Sequence, residues 1–170
     1  RSKISTPNFF QLKEGTTYEE VCTYLGPSFF IKAANSGSSI GISKVTKSEQ
    51  YQAAFQSAYK VDCTVIAETL ILGKEFTIPI LDNSPLTIVE IRPKNDFYDY
   101  EAKYLRDDTE FICPAMFDKV LVDKINQLGL KAFNALGCSG WGRVDFMINY
   151  QNEIFIIEVN TIPGMTSHSL

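Results

Sequence analysis

Arg143, Asp145, Glu158 and Asn160 stand at spacings that bring them together if the segments carrying them are strands. Residues 143–149 and 153–159 alternate apolar and polar side chains around the turn-prone Tyr150-Gln151-Asn152, the pattern of a β-hairpin. A register symmetric about Gln151 and Asn152 sets Asp145 opposite Glu158 and Arg143 opposite Asn160. The period of two in strands then puts all four on one face. Two carboxylates opposed across a ladder repel each other, so a compensating charge is needed. A hard divalent cation taking oxygens from Asp145, Glu158 and Asn160, with substrate phosphates completing its shell, would supply it. That outline is a Mg2+–nucleotide site. The competing reading is a solvated polar face on which Arg143 neutralises one acid, and the residues alone leave both open.

Other groups suit the same chemistry. Asn35-Ser36-Gly37-Ser38-Ser39-Ile40-Gly41 is a candidate phosphate clamp, since glycines let backbone N–H groups approach an anion and Ser38 and Ser39 add hydroxyl donors. It is not a Walker A loop, because no Gly-Lys-Ser/Thr follows, and a plain hairpin turn competes with it. Lys32 follows the apolar Phe29-Phe30-Ile31 and is either a phosphate ligand or a solvated strand end. Glu68 and Glu75 bracket a possible junction between lobes, where carboxylates could meet an adenine amino group and ribose hydroxyls; both could equally be solvating groups. Lys103 and Tyr104 lie in a polar, tyrosine-rich stretch over 94–108 that is long enough for a lid. There they could bring a positive charge and a hydroxyl over transferring phosphate, or be an ordinary exposed pair. The lone His168 reads as a surface residue on an irregular tail.

The elements expected to carry these groups alternate strand and helix. Pro7–Leu12 reads as a short strand, Thr16 or Thr17 as the cap of a helix through Tyr24, and Ser28–Ala33 as a strand. Ile42–Val45 resumes a strand after the Ser/Gly loop, Ser48–Tyr59 has helical spacing, and Cys63–Glu68 is again a strand. Ile71–Lys74 reads as a linker, which divides the chain into lobes of residues 1–70 and 71–170. In the second lobe, Glu75–Leu81 and Leu86–Arg92 form a hairpin through residues 82–85. Met116–Leu136 is an amphipathic helix expected to turn Val120, Ile125, Leu128 and Phe133 inward. The fold class is α+β.

Composition narrows the partners. A net charge of −4 lacks the basic footprint of a broad nucleic-acid surface. Cys22, Cys63, Cys113 and Cys138 are far apart and accompanied by a single His, so they read as reduced, mostly buried thiols of a cytoplasmic protein and not as a zinc set. No apolar run reaches the length of a membrane span. A sequence beginning at Arg1 and ending at Ser169-Leu170 is expected to be a piece of a longer chain.

Three segments carry a family resemblance: Phe97-Tyr98-Asp99-Tyr100-Glu101-Ala102-Lys103-Tyr104, Gly140–Asp145, and residues 158–170 from Glu158-Val159-Asn160-Thr161 through Pro163-Gly164-Met165-Thr166 to Ser169-Leu170. Over nearly its whole length the chain resembles the C-terminal two-thirds of the D-alanine–D-alanine ligases, which are ATP-grasp enzymes. The resemblance implies two small lobes, each with an antiparallel-rich sheet and packed helices, with the nucleotide between them. It implies phosphorylation of one D-alanine carboxylate by ATP and attack by the amine of a second D-alanine, giving the dipeptide used in peptidoglycan. Asp145, Glu158 and Asn160 would hold Mg2+ or Mn2+, two ions in all; Lys32, Lys103, Ser38 and Ser39 would hold phosphates. Glu68 and Glu75 would read adenine and ribose in a slot lined by Phe97, Met147 and Ile157. Arg143 and the Gly164 amide would form the oxyanion site, Ser169 and Leu170 would hold the second D-alanine, and the lid's Tyr104 would contact Ser38. Tyr104 stands where relatives making D-alanyl-D-lactate usually carry Phe, which favours an amine acceptor; D-serine or D-lactate ligation and a non-catalytic ATP-binding module are the alternatives. The chain departs from the pattern at Ser36, where the family usually has Glu, and at Leu70, where Trp is common. The family's N-terminal domain, through which it usually dimerises, has no counterpart here, so this piece alone is expected to be inactive.

Overall fold

The computed structural model describes residues 2–37, 40–93 and 109–164. The chain divides into two compact units. Of the described residues, one contains those from 7 to 70; the other contains residues 2–6, 71–93 and 109–164.

The first unit is a four-stranded antiparallel sheet with two helices. Its strands are β1 (Phe9–Leu12), β2 (Phe29–Ala33), β3 (Ser43–Val45) and β4 (Val65–Thr69), in the order β1-β4-β2-β3. Helix α1 (Tyr18–Leu25) starts where the sequence offers a reciprocal cap. The Thr17 hydroxyl accepts from the Glu20 amide at 3.2 Å, and the Glu20 carboxylate accepts from the Thr17 amide at 2.8 Å. Helix α2 (Ser48–Tyr59) buries Tyr51, Ala54 and Ala58, three or four residues apart along one face. These pack with Leu12, Val21, Phe29, Ile31, Val45, Val65 and Ala67 as one core. Burial alternates along β2, so Phe29, Ile31 and Ala33 face that core while Phe30 and Lys32 face the other way.

The second unit is built on an antiparallel sheet of β10 (Ile154–Asn160), β9 (Trp141–Asn149), β5 (Gly73–Leu81), β7 (Val89–Arg92) and β8 (Glu110–Ile112), in that order, with β6 (Ser84–Pro85) paired to β5. Helix α3 (Lys119–Ala135) covers one face. Phe76, Ile78, Ile80, Val144, Phe146 and Ile148 point at it, meeting Ile125, Ala132 and Phe133. Period two sends Glu75, Thr77, Arg143, Asp145 and Met147 to the other face.

Several local expectations are corrected. Gly73 and Lys74 are not linker but the start of β5, with Gly73 paired to Asn149. A Cβ on Gly73 would lie 2.0 Å from the Ile148 carbonyl, so this glycine serves a close backbone approach. The turn of the following hairpin is only Asp82-Asn83, both at positive φ, between Leu81 and Ser84. Helix α3 begins at Lys119 because Asp118 caps it, its carboxylate accepting from the Leu121 amide at 2.8 Å. Val120 is 79% exposed rather than inward. It precedes Ile125 by five residues, roughly 140° around the helix, while Ile125 and Phe133 are buried and Leu128 lies at the core margin. Strand β8 was not anticipated, and the cysteines are not mostly buried: Cys63 and Cys113 are exposed, Cys22 and Cys138 half-buried. The expected lid over 94–108 lies outside the described residues.

Candidate active site

The hairpin β9–β10 carries a cluster of hydrogen-bonded polar side chains, and its register has two parts. Near the turn Ile154 pairs with Ile148 and Ile156 with Phe146; beyond a bulge at Ile157, Glu158 pairs with Asp145 and Asn160 with Arg143. The extra residue shifts the register by one, and the four polar residues meet as the hairpin reading anticipated.

Asp145 is 5% exposed and surrounded by donors. The Arg143 guanidinium grips it as a fork, Nε to Oδ1 and Nη2 to Oδ2, both at 2.8 Å. From β5, the buried Thr77 hydroxyl donates to Oδ1 at 2.5 Å. The Asn160 amide donates to Asp145 Oδ2 at 2.9 Å and to Glu158 Oε1 at 3.3 Å. Arg143 therefore does neutralise one acid, as the solvated-face reading supposed, but around a buried carboxylate.

Two carboxylate oxygens from different strands thus converge on one donor, the Asn160 Nδ2. A hard cation takes such oxygens, and rotating the Asn160 amide would add a third. Among the described residues no group of three or more His, Cys, Asp or Glu could hold a metal by itself. The donor set fits a cation that shares its shell with the Asn160 oxygen and with phosphate oxygens, as Mg2+ commonly does. On the same face, Glu75 pairs with Met147 on β9, which pairs in turn with Phe155. Ile157 is the bulge residue, half-buried, and Gly164 is exposed beyond β10.

The first unit carries its own pair. Lys32 Nζ lies 2.7 Å from Glu68 Oε2, both side chains about four-fifths buried. Phe30 is the cross-strand neighbour of Glu68, so the contact is diagonal on the sheet face away from the core. The start of the Ser/Gly loop is fastened nearby. Asp62 Oδ2 accepts from the Asn35 amide at 3.0 Å and from its side-chain nitrogen at 2.7 Å, while Oδ1 accepts from the Thr64 amide at 2.9 Å. Hydrogen bonds from the Thr64 amide and the Asn35 side chain hold the Asp62 carboxyl below its ordinary range.

Ser38, Ser39, Phe97, Lys103, Tyr104, Ser169 and Leu170 lie outside the described residues. Thr77 was missed by sequence reasoning. Its signal was faint: a polar residue on the same period-two row as Glu75, in a segment otherwise read for its apolar side.

A family model described as the D-ala D-ala ligase C-terminus matches residues 3–170. Among curated proteins, the chain is 43% identical to the D-alanine–D-alanine ligase of Herminiimonas arsenicoxydans, covering 98% of this chain and 53% of that one. It is also 43% identical to D-alanine–D-alanine ligase B of Chromobacterium violaceum, covering 98% and 55%. The chain thus spans about half the length of the curated relatives it matches. Among solved structures, the VanG D-Ala:D-Ser ligase from Enterococcus faecalis aligns with a TM-score of 0.85 at 35% identity, over 99% of this chain and 51% of that one. A D-alanine–D-alanine ligase from Bacillus anthracis aligns at 0.81 and 33%, over 98% and 55%. Its complex with ATP aligns at 0.79 and 29%, over 98% and 53%.

Proposed function

This chain belongs to the D-ala D-ala ligase C-terminus family and has the ATP-grasp fold, and from that premise we propose that it is the ATP-handling part of an enzyme that joins two D-alanines. The observation that carries the proposal is the convergence of Asp145 Oδ2 and Glu158 Oε1 on the Asn160 amide, beside the Arg143 fork. Those three residues would hold Mg2+ or Mn2+, two ions together with the phosphates. The bound cation would neutralise phosphate charge and align the γ-phosphoryl group.

The chemistry assigns tasks to the chain's own groups. Lys32 binds phosphate oxygens and Glu68 a nucleotide hydroxyl or amino group, once their mutual ion pair opens. Glu75 and Met147, neighbours on the ladder, serve the nucleoside with Ile157 and Phe97. In the first step a carboxylate oxygen of one D-alanine attacks the γ-phosphorus, the bond to the β-phosphate oxygen breaks, and ADP and an acyl phosphate result. In the second step the deprotonated amine of the other D-alanine attacks the acyl carbon, and inorganic phosphate leaves the tetrahedral intermediate. Arg143 and the Gly164 amide stabilise the oxyanion of that intermediate, the preorganised charge on which acyl transfer depends. By the family resemblance Ser38, Ser39, Lys103 and Tyr104 would hold the phosphates, and Ser169 and Leu170 the second amino acid. The dipeptide would enter peptidoglycan synthesis in the cytoplasm.

A second reading, with D-serine as acceptor, is favoured by the likeness to a D-Ala:D-Ser ligase. Product analysis separates the two. The chain extended to its relatives' length, given Mg·ATP, D-alanine and an equal concentration of D-serine or D-lactate, should yield D-alanyl-D-alanine as the main product. Mainly D-alanyl-D-serine would establish the second reading, and neither dipeptide would overturn both.

A further inference from the structure

Thr77 lies in the middle of β5, between β9 and β7, and is fully buried. It stands directly opposite Asp145 across the ladder. Its hydroxyl donates to Asp145 Oδ1 at 2.5 Å; the Val144 carbonyl, the other acceptor in reach, is at 3.4 Å. A threonine hydroxyl has one proton to give, and the shorter contact to a carboxylate takes it. A fully buried, apolar side chain of the same shape would have filled this position without any partner.

We infer that Thr77 is a positioning residue that fixes Asp145 Oδ1 and so presents Oδ2 to the metal. The inference rests on the proposed metal role of Asp145. Of the three described side-chain partners of Asp145, Arg143 and Asn160 have other work in the reaction: one must reach the oxyanion and the other must turn its amide oxygen to the cation. Both are long or terminal groups that move by bond rotation. Thr77 is β-branched and held at a central strand, so its hydroxyl stays in place when the others leave. Oδ2 is the oxygen that shares the Asn160 amide with Glu158 and also takes the Arg143 Nη2, and it is left free to ligate when that amide turns and the guanidinium swings to the oxyanion. Groups that orient a metal ligand from behind typically contribute about 10–100-fold to metal affinity.

The test is Mn2+ binding, followed by electron paramagnetic resonance in the presence of ADP, on the chain extended to its relatives' length. Thr77→Val keeps the shape and removes the hydroxyl, and Mn2+ affinity should fall about tenfold or more. Thr77→Ser keeps the hydroxyl and should bind Mn2+ within about twofold of wild type, the range of a retained hydrogen bond. Should the valine variant not fold, Thr77→Ala is expected to show the same loss. Asp145→Asn is the control and should bind far more weakly than any of them. Wild-type affinity in Thr77→Val or Thr77→Ala beside a damaged Asp145→Asn would overturn the inference alone. Wild-type affinity in Asp145→Asn would overturn the metal reading of the site, and the inference with it.

Discussion

At the scale of single residues, the cluster was legible because alternation along a strand depends on nothing beyond the strand. Arg143, Asp145, Glu158 and Asn160 could be set on one face from their numbers alone. Which of them would touch could not. Arg143 reaches along its own strand to Asp145, because a carboxylate offers the two acceptors that its fork matches. Lys32 and Glu68, separately expected to meet a nucleotide, meet each other. Thr77 escaped notice because its partner is 68 residues away, and no local pattern encodes that pairing. The fork gives a direct prediction. Arg143→Lys keeps the charge but loses the bidentate geometry. In the extended chain it should lower kcat for ligation by about a hundredfold, the loss typical of one oxyanion donor. KM for ATP should change by less than about threefold, within the scatter of a contact not made to the nucleotide. A large rise in KM for ATP with kcat unchanged would show that Arg143 serves nucleotide binding instead.

At the scale of elements, the helices and most strands could be read because their caps and periods are local. The reciprocal Thr17–Glu20 cap and the start of α2, where the Gln50 side chain accepts from the Lys47 amide at 3.1 Å, follow from side chains within one turn. What failed depended on distant backbone. Gly73 resembles a linker glycine until β9 is laid beside it, and the bulge at Ile157 has no marker in the sequence. Gly142 is a similar case: its missing Cβ would lie 2.7 Å from the Phe133 ring and 2.9 Å from the Asn160 carbonyl. Gly142→Ala must push α3 or the Asn160 backbone aside, and should cost about 1–3 kcal/mol, as overpacking does. Calorimetric melting checks this, and an unchanged melting temperature would contradict the close packing of β9 against both neighbours. Phe133→Ala, which empties the centre of the same core, should cost about 3–5 kcal/mol.

At the scale of the molecule, the two units each carry their own core, and the boundary near residue 70 is where the sequence changes from one set of elements to the next. Residues 2–6 run with the second unit, the Ser5 carbonyl accepting from the Ile156 amide at 2.9 Å. No local signal could have placed them there. In that unit the buried Glu90 is ion-paired to Arg92 at 2.7 Å and to Lys74 at 3.0 Å. Hydrogen bonds from Arg92 and then Lys74 outweigh its burial and hold its carboxyl below the ordinary glutamate range. Its stabilising contribution is therefore complete above about pH 4.3, the unfolded value, and is lost as pH falls through the lower folded one. Glu90→Gln should melt lower than wild type at pH 7, and the gap should close on acidification from about pH 4.3 downward. A gap that is constant across that range would mean the ion pairs contribute nothing to acid stability. The central claim concerns the whole protein's chemistry, and phosphate release from Mg·ATP tests it most directly. The chain extended to its relatives' length should release phosphate with D-alanine, and show only background with L-alanine or no amino acid. ATP bound without release stimulated by D-alanine would contradict the assignment as a D-alanine ligase.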